Sequence, residues 1–365
     1  GNGGWLFGDG GAGGTGGAGG GTGGAGGSAY LLGTGANGGA GGDAGGGLLG
    51  MGGTGGGRGL FWGDFGFSGT GMDGKTVPMQ LIAGTEPVVG LSVNGGPTAP
   101  ILVDTGSQGL VMSIKDVGGL SGLARMGLPT GMSFSAYSGG LTYLYATFPG
   151  AVDFGNGIVT PPTGVDVVLF SIPTSPAAMG AYFNAFLTNP FTTPFDAYFE
   201  SAGVDGVLGV GPNAVGPGPS IPNQALPGDL NQGVLIDIPG NRLQFGPNTG
   251  VPNFTMSGSP ITTLYVDVGN TGSVQAVPSI VDSGGVLGTM PSSVIGGAGS
   301  LPGNTDIYVY ADAAKTNLLY SYNTSWYQPS VISSGLMNTG YLPFNLQPIY
   351  TDYSPAGVGT TVVNM

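Results

Sequence analysis

From Lys75 onward the chain alternates short apolar runs of Val, Ile, Leu and Tyr with Gly, Pro, Asn and Asp, the punctuation of strands and turns. Val88-Val89-Gly90-Leu91-Ser92-Val93 stops at Asn94-Gly95, a dipeptide that suits the backbone angles of a tight hairpin. Ile101-Leu102-Val103 and residues 151–154, 165–170 and 264–268 have the same texture and predict strands. The best helical candidate is the stretch from Pro176 to Thr188. The pattern predicts an all-β region of about 290 residues, a size that suggests two lobes, 75–225 and 226–365.

Ahead of it the pattern has a different period. Residues 1–59 are built of Gly-Gly-Ala, Gly-Gly-Thr and related triplets, punctuated by Trp5-Leu6-Phe7, Tyr30-Leu31-Leu32 and Leu48-Leu49. A three-residue period with glycine-lined sides suits an extended, polyproline II-like helix packed against its neighbours. A flexible glycine-rich linker has the same composition, and the sequence leaves both open. Residues 60–74, beginning Leu60-Phe61-Trp62, read as a junction.

Composition narrows the chemistry. Nineteen acidic and six basic side chains give a formal charge of −13, and the basic residues are scattered, which opposes nucleic-acid binding. With no histidine and no cysteine, a Ser-His-Asp triad, a Cys-His pair and His/Cys zinc sites are excluded. Carboxylate chemistry, an oxygen-ligated Ca or Mg site, or no catalysis remains. No apolar run reaches the roughly 18 residues that span a bilayer. The chain opens inside the repeat at Gly1-Asn2-Gly3-Gly4-Trp5, so it reads as a fragment with any export signal upstream.

Two segments of the β region resemble one another. Ile101-Leu102-Val103-Asp104-Thr105-Gly106-Ser107 is followed by Leu110-Val111-Met112, and Ser279-Ile280-Val281-Asp282-Ser283-Gly284-Gly285 by Val286-Leu287. In each, a strand delivers an aspartate into Asp-(Thr/Ser)-Gly. The strand fixes the carboxyl by packing, the glycine allows a tight turn with backbone N–H groups on the carboxylate, and the hydroxyl can bond to the partner loop. Two carboxyls so placed share a proton, which splits their apparent pKa values. One can then take a proton from water while the other polarises a carbonyl, with no cofactor or metal.

These motifs resemble the pepsin-like aspartic proteases, and more closely the aspartic protease domains attached to mycobacterial PE_PGRS proteins. The resemblance implies a bilobal fold, one Asp from each lobe, with a polypeptide substrate in the cleft between them. Val204-Asp205-Gly206-Val207-Leu208-Gly209-Val210-Gly211 is similar to the family's hydrophobic-hydrophobic-Gly element beneath the first Asp loop. The glycine-rich segment is similar to the PGRS repeat. Phe134 to Tyr143 resembles the family's flap hairpin, with Tyr137 ahead of Gly139 in the substrate-covering position and Tyr143 as second choice.

The resemblance has gaps. Gly285 stands where the family has a hydroxyl residue, so Asp282 is expected to lack the outer donor that Ser107 gives Asp104, making Asp104 the ionised member. Gly340-Tyr341-Leu342-Pro343-Phe344 stands roughly where the second lobe's hydrophobic-hydrophobic-Gly element belongs, but matches it poorly. Disulfide cysteines are absent. Asp9, Asp43 and Asp64 read as solvated turn residues, Asp196, Glu200 and Asp205 as surface or cleft-wall groups, and Tyr320, Tyr322, Trp326 and Tyr327 as core. The expected function is an aspartic endopeptidase exported to the mycobacterial cell surface or envelope, where the repeat could anchor it. The alternative is a non-catalytic β domain that binds a host or envelope partner.

Overall fold

The computed structural model describes residues 1–45, 48–218 and 220–365. Three sheets carry the region from Thr76 onward. A nine-stranded sheet is built from residues 80–173 with Gly206–Val210, and a seven-stranded sheet from residues 261–338. Between them a six-stranded sheet runs in the order Pro252–Ser257, Thr360–Asn364, Ile349–Asp352, Gly233–Asp237, Arg242–Phe245, Thr76–Pro78. It therefore borrows its edge strand, Thr76–Pro78, from the start of the region, with Leu243 opposite Val77. The predicted strands at 88–93, 101–103, 165–170 and 264–268 all lie within observed ones.

One apolar cluster runs through all three layers, from Val103 and Leu208 through Val234, Phe245 and Val363 to Val281 and Met337. Burial on this scale dominates the folding free energy at roughly 25 cal/mol per Å² of apolar surface. The strands that carry the two Asp motifs are embedded in it, and this makes their ends rigid.

Helix Pro176–Thr188 forms where expected. Ser175 accepts the Ala178 N–H and proline occupies the first turn, both favourable at a helix start. It buries only Ala178, so most of its apolar surface faces outward. Helix Pro194–Glu200 carries a full capping box between Thr193 and Asp196.

In the glycine-rich segment, every third N–H finds a carbonyl on a neighbouring stretch. Gly13, Gly16 and Gly19 donate to Asn37, Ala40 and Asp43, a parallel register. Gly24 and Gly27 donate to Gly14 and Gly11, an antiparallel one. The same ladder continues with Gly39 to Gly24, Gly53 to Gly39 and Gly69 to Gly53. It runs past Gly59 through Gly66 and Met72, into the stretch read from sequence as a junction. A Cβ on Gly39 would collide with the carbonyl of Gly14, whereas at Gly14 nothing lies within 4 Å. The apolar turns meet at one end, where Phe7 bridges Leu32 and Leu32 bridges Trp62, and Trp5, Phe7, Phe61 and Trp62 are exposed. Side-chain contacts seat this layer on the β region: Ser68 Oγ donates to Asp153 Oδ1 at 2.7 Å, and the Gly52 N–H to Asn156 Oδ1 at 2.9 Å.

Candidate active site

Asp104 ends the strand Ala99–Asp104, which lies between Glu86–Val93 and Gly206–Val210. Gly206–Val210 inserts in parallel beside it, with Gly209 opposite Asp104, and pairs antiparallel with Gln108–Ser113 on its other side. A Cβ on Gly209 would stand 2.5 Å from Gln108 N, so only glycine lets this strand pass beneath the Asp104 loop. The hydrophobic-hydrophobic-Gly stretch thus lies beneath that loop.

Asp282 follows Gln275–Ile280, and the counterpart of the inserted strand is Met337–Asn338, parallel to it with Ile280 opposite Asn338. Gly340-Tyr341-Leu342-Pro343-Phe344 is not that element; residues Leu342–Leu346 are a short helix. The strand lies just upstream and is two residues long, so it leaves almost no periodic trace in the sequence.

The two loops lock by exchanging hydroxyl bonds. The Thr105 N–H donates to Ser283 Oγ at 3.1 Å and the Ser283 N–H to Thr105 Oγ1 at 2.9 Å. Each hydroxyl then donates onward, Thr105 to Val281 O and Ser283 to Val103 O, both at 2.7 Å. Thr105 and Ser283 are buried, so this network is shielded from water, where hydrogen bonds are electrostatically stronger. It brings the carboxyls face to face. A Cβ on Gly106 would stand 2.6 Å from Asp282 Cγ, and one on Gly284 2.9 Å from Asp104 Oδ1. Each glycine leaves room for the opposite aspartate.

The Gly106 N–H donates to Asp104 Oδ1 at 2.7 Å and the Gly284 N–H to Asp282 Oδ1 at 3.0 Å, an inner donor for each. The outer donor for Asp104 is Ser107 Oγ, 2.5 Å from Oδ2, as expected. Asp282 does not lack one, contrary to the sequence expectation. Asn338 Nδ2 donates to its Oδ2 at 2.5 Å, and a Cβ on Gly285 would collide with the Asn338 carboxamide. Glycine after the second motif is the vacancy that Asn338 fills.

That substitution reverses the expected charge assignment. Asn338 Oδ1 accepts the Gly340 N–H at 2.8 Å, which fixes the amide orientation and leaves only N–H groups for Asp282. An amide nitrogen can only donate, so the Asp282 oxygen it meets must accept. The Ser107 hydroxyl can donate or accept and tolerates a protonated Asp104. Burial and then the Asp282 charge push the Asp104 carboxyl well above the ordinary carboxylate range, against the Ser107 and Gly106 donors. Of the two, Asp104 is the carboxyl pushed toward its protonated form.

Both carboxyls open into a cleft of about 570 Å³ that is also lined by Tyr137, Gly139 and Tyr198. The hairpin Gly131–Tyr137 and Leu141–Gly150 places Tyr137 over this cleft, stacked on Tyr143 with ring centroids 5.2 Å apart. Tyr143, 1% exposed, packs against Tyr137 and borders the same cleft. Ser175 Oγ donates to Gly139 O at 2.8 Å and ties the hairpin tip to the start of helix Pro176–Thr188. A larger groove of about 860 Å³ lies elsewhere on the first lobe, where Lys115 pairs with Asp205 at 2.5 Å and Asp196 at 3.8 Å. It contains no facing carboxyl pair with backbone donors, so geometry rather than size marks the site. Asp9, Asp43 and Asp64 are exposed, and Tyr320, Tyr322 and Tyr327 are buried. Trp326, read as core, is 62% exposed, because it follows the strand Leu318–Asn323 on a surface turn. Among the described residues no group of side chains forms a metal site.

The fold is that of an aspartyl peptidase-like domain. The chain belongs to the family described as "PE-PGRS C-terminal aspartyl peptidase-like domain", which matches residues 75–361. It is 64% identical over 302 residues to "PE cleavage protein A" of Mycobacterium tuberculosis (strain CDC 1551 / Oshkosh), covering 82% of this chain and 54% of that protein. The protein of the same name from Mycobacterium marinum (strain ATCC BAA-535 / M) is 67% identical over 293 residues, covering 80% of this chain and 53% of that one. The chain thus spans about half the length of these relatives. Among solved structures, the aspartic proteinase from Irpex lacteus aligns over 80% of this chain and 97% of its own, with 14% identity and a TM-score of 0.49. Among the described residues no helix is long and apolar enough to cross a membrane.

Proposed function

We propose that this chain is an aspartic endopeptidase with Asp104 and Asp282 as its catalytic pair. The observation that carries the reading is the pair itself: a buried Asp282 and a part-buried Asp104 on two separate loops, held face to face by the reciprocal Thr105–Ser283 bonds. In this reading a water between the carboxyls gives a proton to Asp282 as its oxygen attacks the scissile carbonyl carbon. Asp104 gives its proton to the carbonyl oxygen. Asp282 then passes its proton to the amide nitrogen, a hydroxyl of the tetrahedral diol returns one to Asp104, and the C–N bond breaks to free amine and acid. Tyr137 and Gly139 close over an extended polypeptide held partly by backbone hydrogen bonds.

Asp104→Ala and Asp282→Ala are each expected to abolish cleavage of an unfolded protein between acidic and near-neutral pH. Single variants that cleave as well as the parent chain would end the reading. Kinship with mycobacterial cleavage proteins supports envelope or secreted proteins as substrates, at or outside the cell surface. The exposed apolar turns of Trp5, Phe7, Phe61 and Trp62 support association of the repeat with the envelope. Loss of vesicle co-sedimentation on Phe61→Ser with Trp62→Ser is the corresponding test.

A further inference from the structure

The cleft holds a third carboxyl that the proposed reaction does not use. Glu86 opens the strand Glu86–Val93 and lines the same cavity as Asp104 and Asp282. It is 6% exposed, and its Oε2 has no hydrogen-bond partner. Leu102, Phe199, Ala202, Val204 and Tyr198 also line this cavity. No Lys or Arg lines the cavity. A buried carboxyl oxygen without a donor is costly, and proteins keep such groups where something else supplies the partner.

The make-up of the wall says what that partner is. A lining of apolar side chains with a carboxyl among them matches a side chain with an aliphatic stem and a cationic head, which gains from burying the stem only if the head finds an anion. Three carboxyls and no basic residue in one cavity add a field that attracts cations and repels acidic side chains. We propose that Glu86 makes the first-lobe wall of the cleft a binding site for a Lys or Arg side chain of the polypeptide substrate. The proposal rests on the peptidase reading above and adds a substrate class to it.

Burial, then the Asp282 charge, push the empty Glu86 carboxyl up to about 7. The other titratable groups that line the cavity are Asp104, Asp282, Tyr137, Tyr143 and Tyr198. An incoming ammonium supplies the missing donor and favours the charged form, so the site recognises a cation better as pH rises toward neutrality.

The test uses the full chain and peptide pairs that differ only by Lys or norleucine at one position, scanned along the residues flanking the scissile bond. At one position the Lys peptide is expected to exceed its norleucine partner in kcat/KM by about tenfold or more at pH 7. This ratio should shrink at pH 5 and collapse in Glu86→Gln, mainly through KM. Because the ratio is internal to each enzyme, a variant of lower overall activity still reports on selectivity, and the pH arm needs no variant at all. Cleavage of neutral peptides with no Lys preference at any position, or a preference that survives Glu86→Gln, overturns the proposal and leaves the peptidase reading standing. Failure of the parent chain to cleave any peptide sinks both.

Discussion

Replacing Asn338 with alanine removes the outer donor to Asp282 without touching either aspartate. The bond lost is 2.5 Å long and donated to Asp282 Oδ2, on the carboxyl that the proposed reaction uses as its base. A hydrogen bond to a charged group contributes about 1.5–3 kcal/mol. At about 1.4 kcal/mol per pH unit, its loss raises the lower apparent pKa of the pair by about one to two units. The acid limb of the kcat/KM profile is therefore expected to move up by that amount in Asn338→Ala. Ser107→Ala should move it by under about half a unit, since Ser107 serves the carboxyl that holds the proton in the proposed reaction. The profile is read by peptide cleavage between about pH 3 and pH 7 for the parent and both variants. Thermal unfolding alongside should show a loss of about 1–3 kcal/mol in Asn338→Ala, because the Gly340 N–H loses its acceptor. A profile that shifts in Ser107→Ala and stays still in Asn338→Ala refutes the assignment of the shared proton to Asp104.

Gly284→Ala places a Cβ against Asp104 Oδ1, so cleavage should fall by at least about a hundredfold while the melting temperature moves little; unchanged kcat would contradict the face-to-face geometry. In the repeat, Gly39→Ala collides with Gly14 O and should speed hydrogen exchange across residues 10–45, whereas Gly14→Ala meets nothing and should be neutral or stabilising by about 0.4–1 kcal/mol. Equal effects at the two sites would rule out the packing described. Asp166 is 1% exposed, accepts Thr147 Oγ1 at 2.6 Å, and burial raises its carboxyl to about 7. Between about pH 4 and 7 the folded chain holds a proton that the unfolded chain has released, so stability falls as pH rises through that window and levels off above it. Asp166→Asn should remove that loss, a gain on the order of 3 kcal/mol at pH 8 that fades toward pH 4; an equal effect at both pH values would contradict the burial argument.

The catalytic candidates were legible because strand, aspartate, hydroxyl and glycine must stand in fixed order for the loop to close. Asp104 and Asp282 carry that order openly, and the absence of histidine and cysteine left carboxylates as the main catalytic option. Asn338 was not legible: its strand is two residues long, and its role depends on a parallel pairing with Ile280 across more than fifty residues that include four other strands. Gly285 was the available trace, read as a missing donor although it is the space another donor fills. Glu86 sits ahead of Pro87 at the start of a strand, where a charged residue ordinarily faces water; in the fold it lines the cleft with Tyr198 and Phe199 instead. The repeat's period of three was plain, but its ladder of bonds required knowing which stretches fold back on which.

The Thr105–Ser283 exchange also sets a timetable. One hydroxyl comes from the first lobe and the other from the second, and Asp282 takes further support from Asn338 and from Thr339, whose Oγ1 accepts its N–H. A ribosome making this chain has finished the first aspartate loop long before residue 339 exists. Until then neither carboxyl has its opposite number, and the half-made protein carries no assembled cutting centre. In the peptidase reading, cutting thus waits until both halves of the chain have been made and joined.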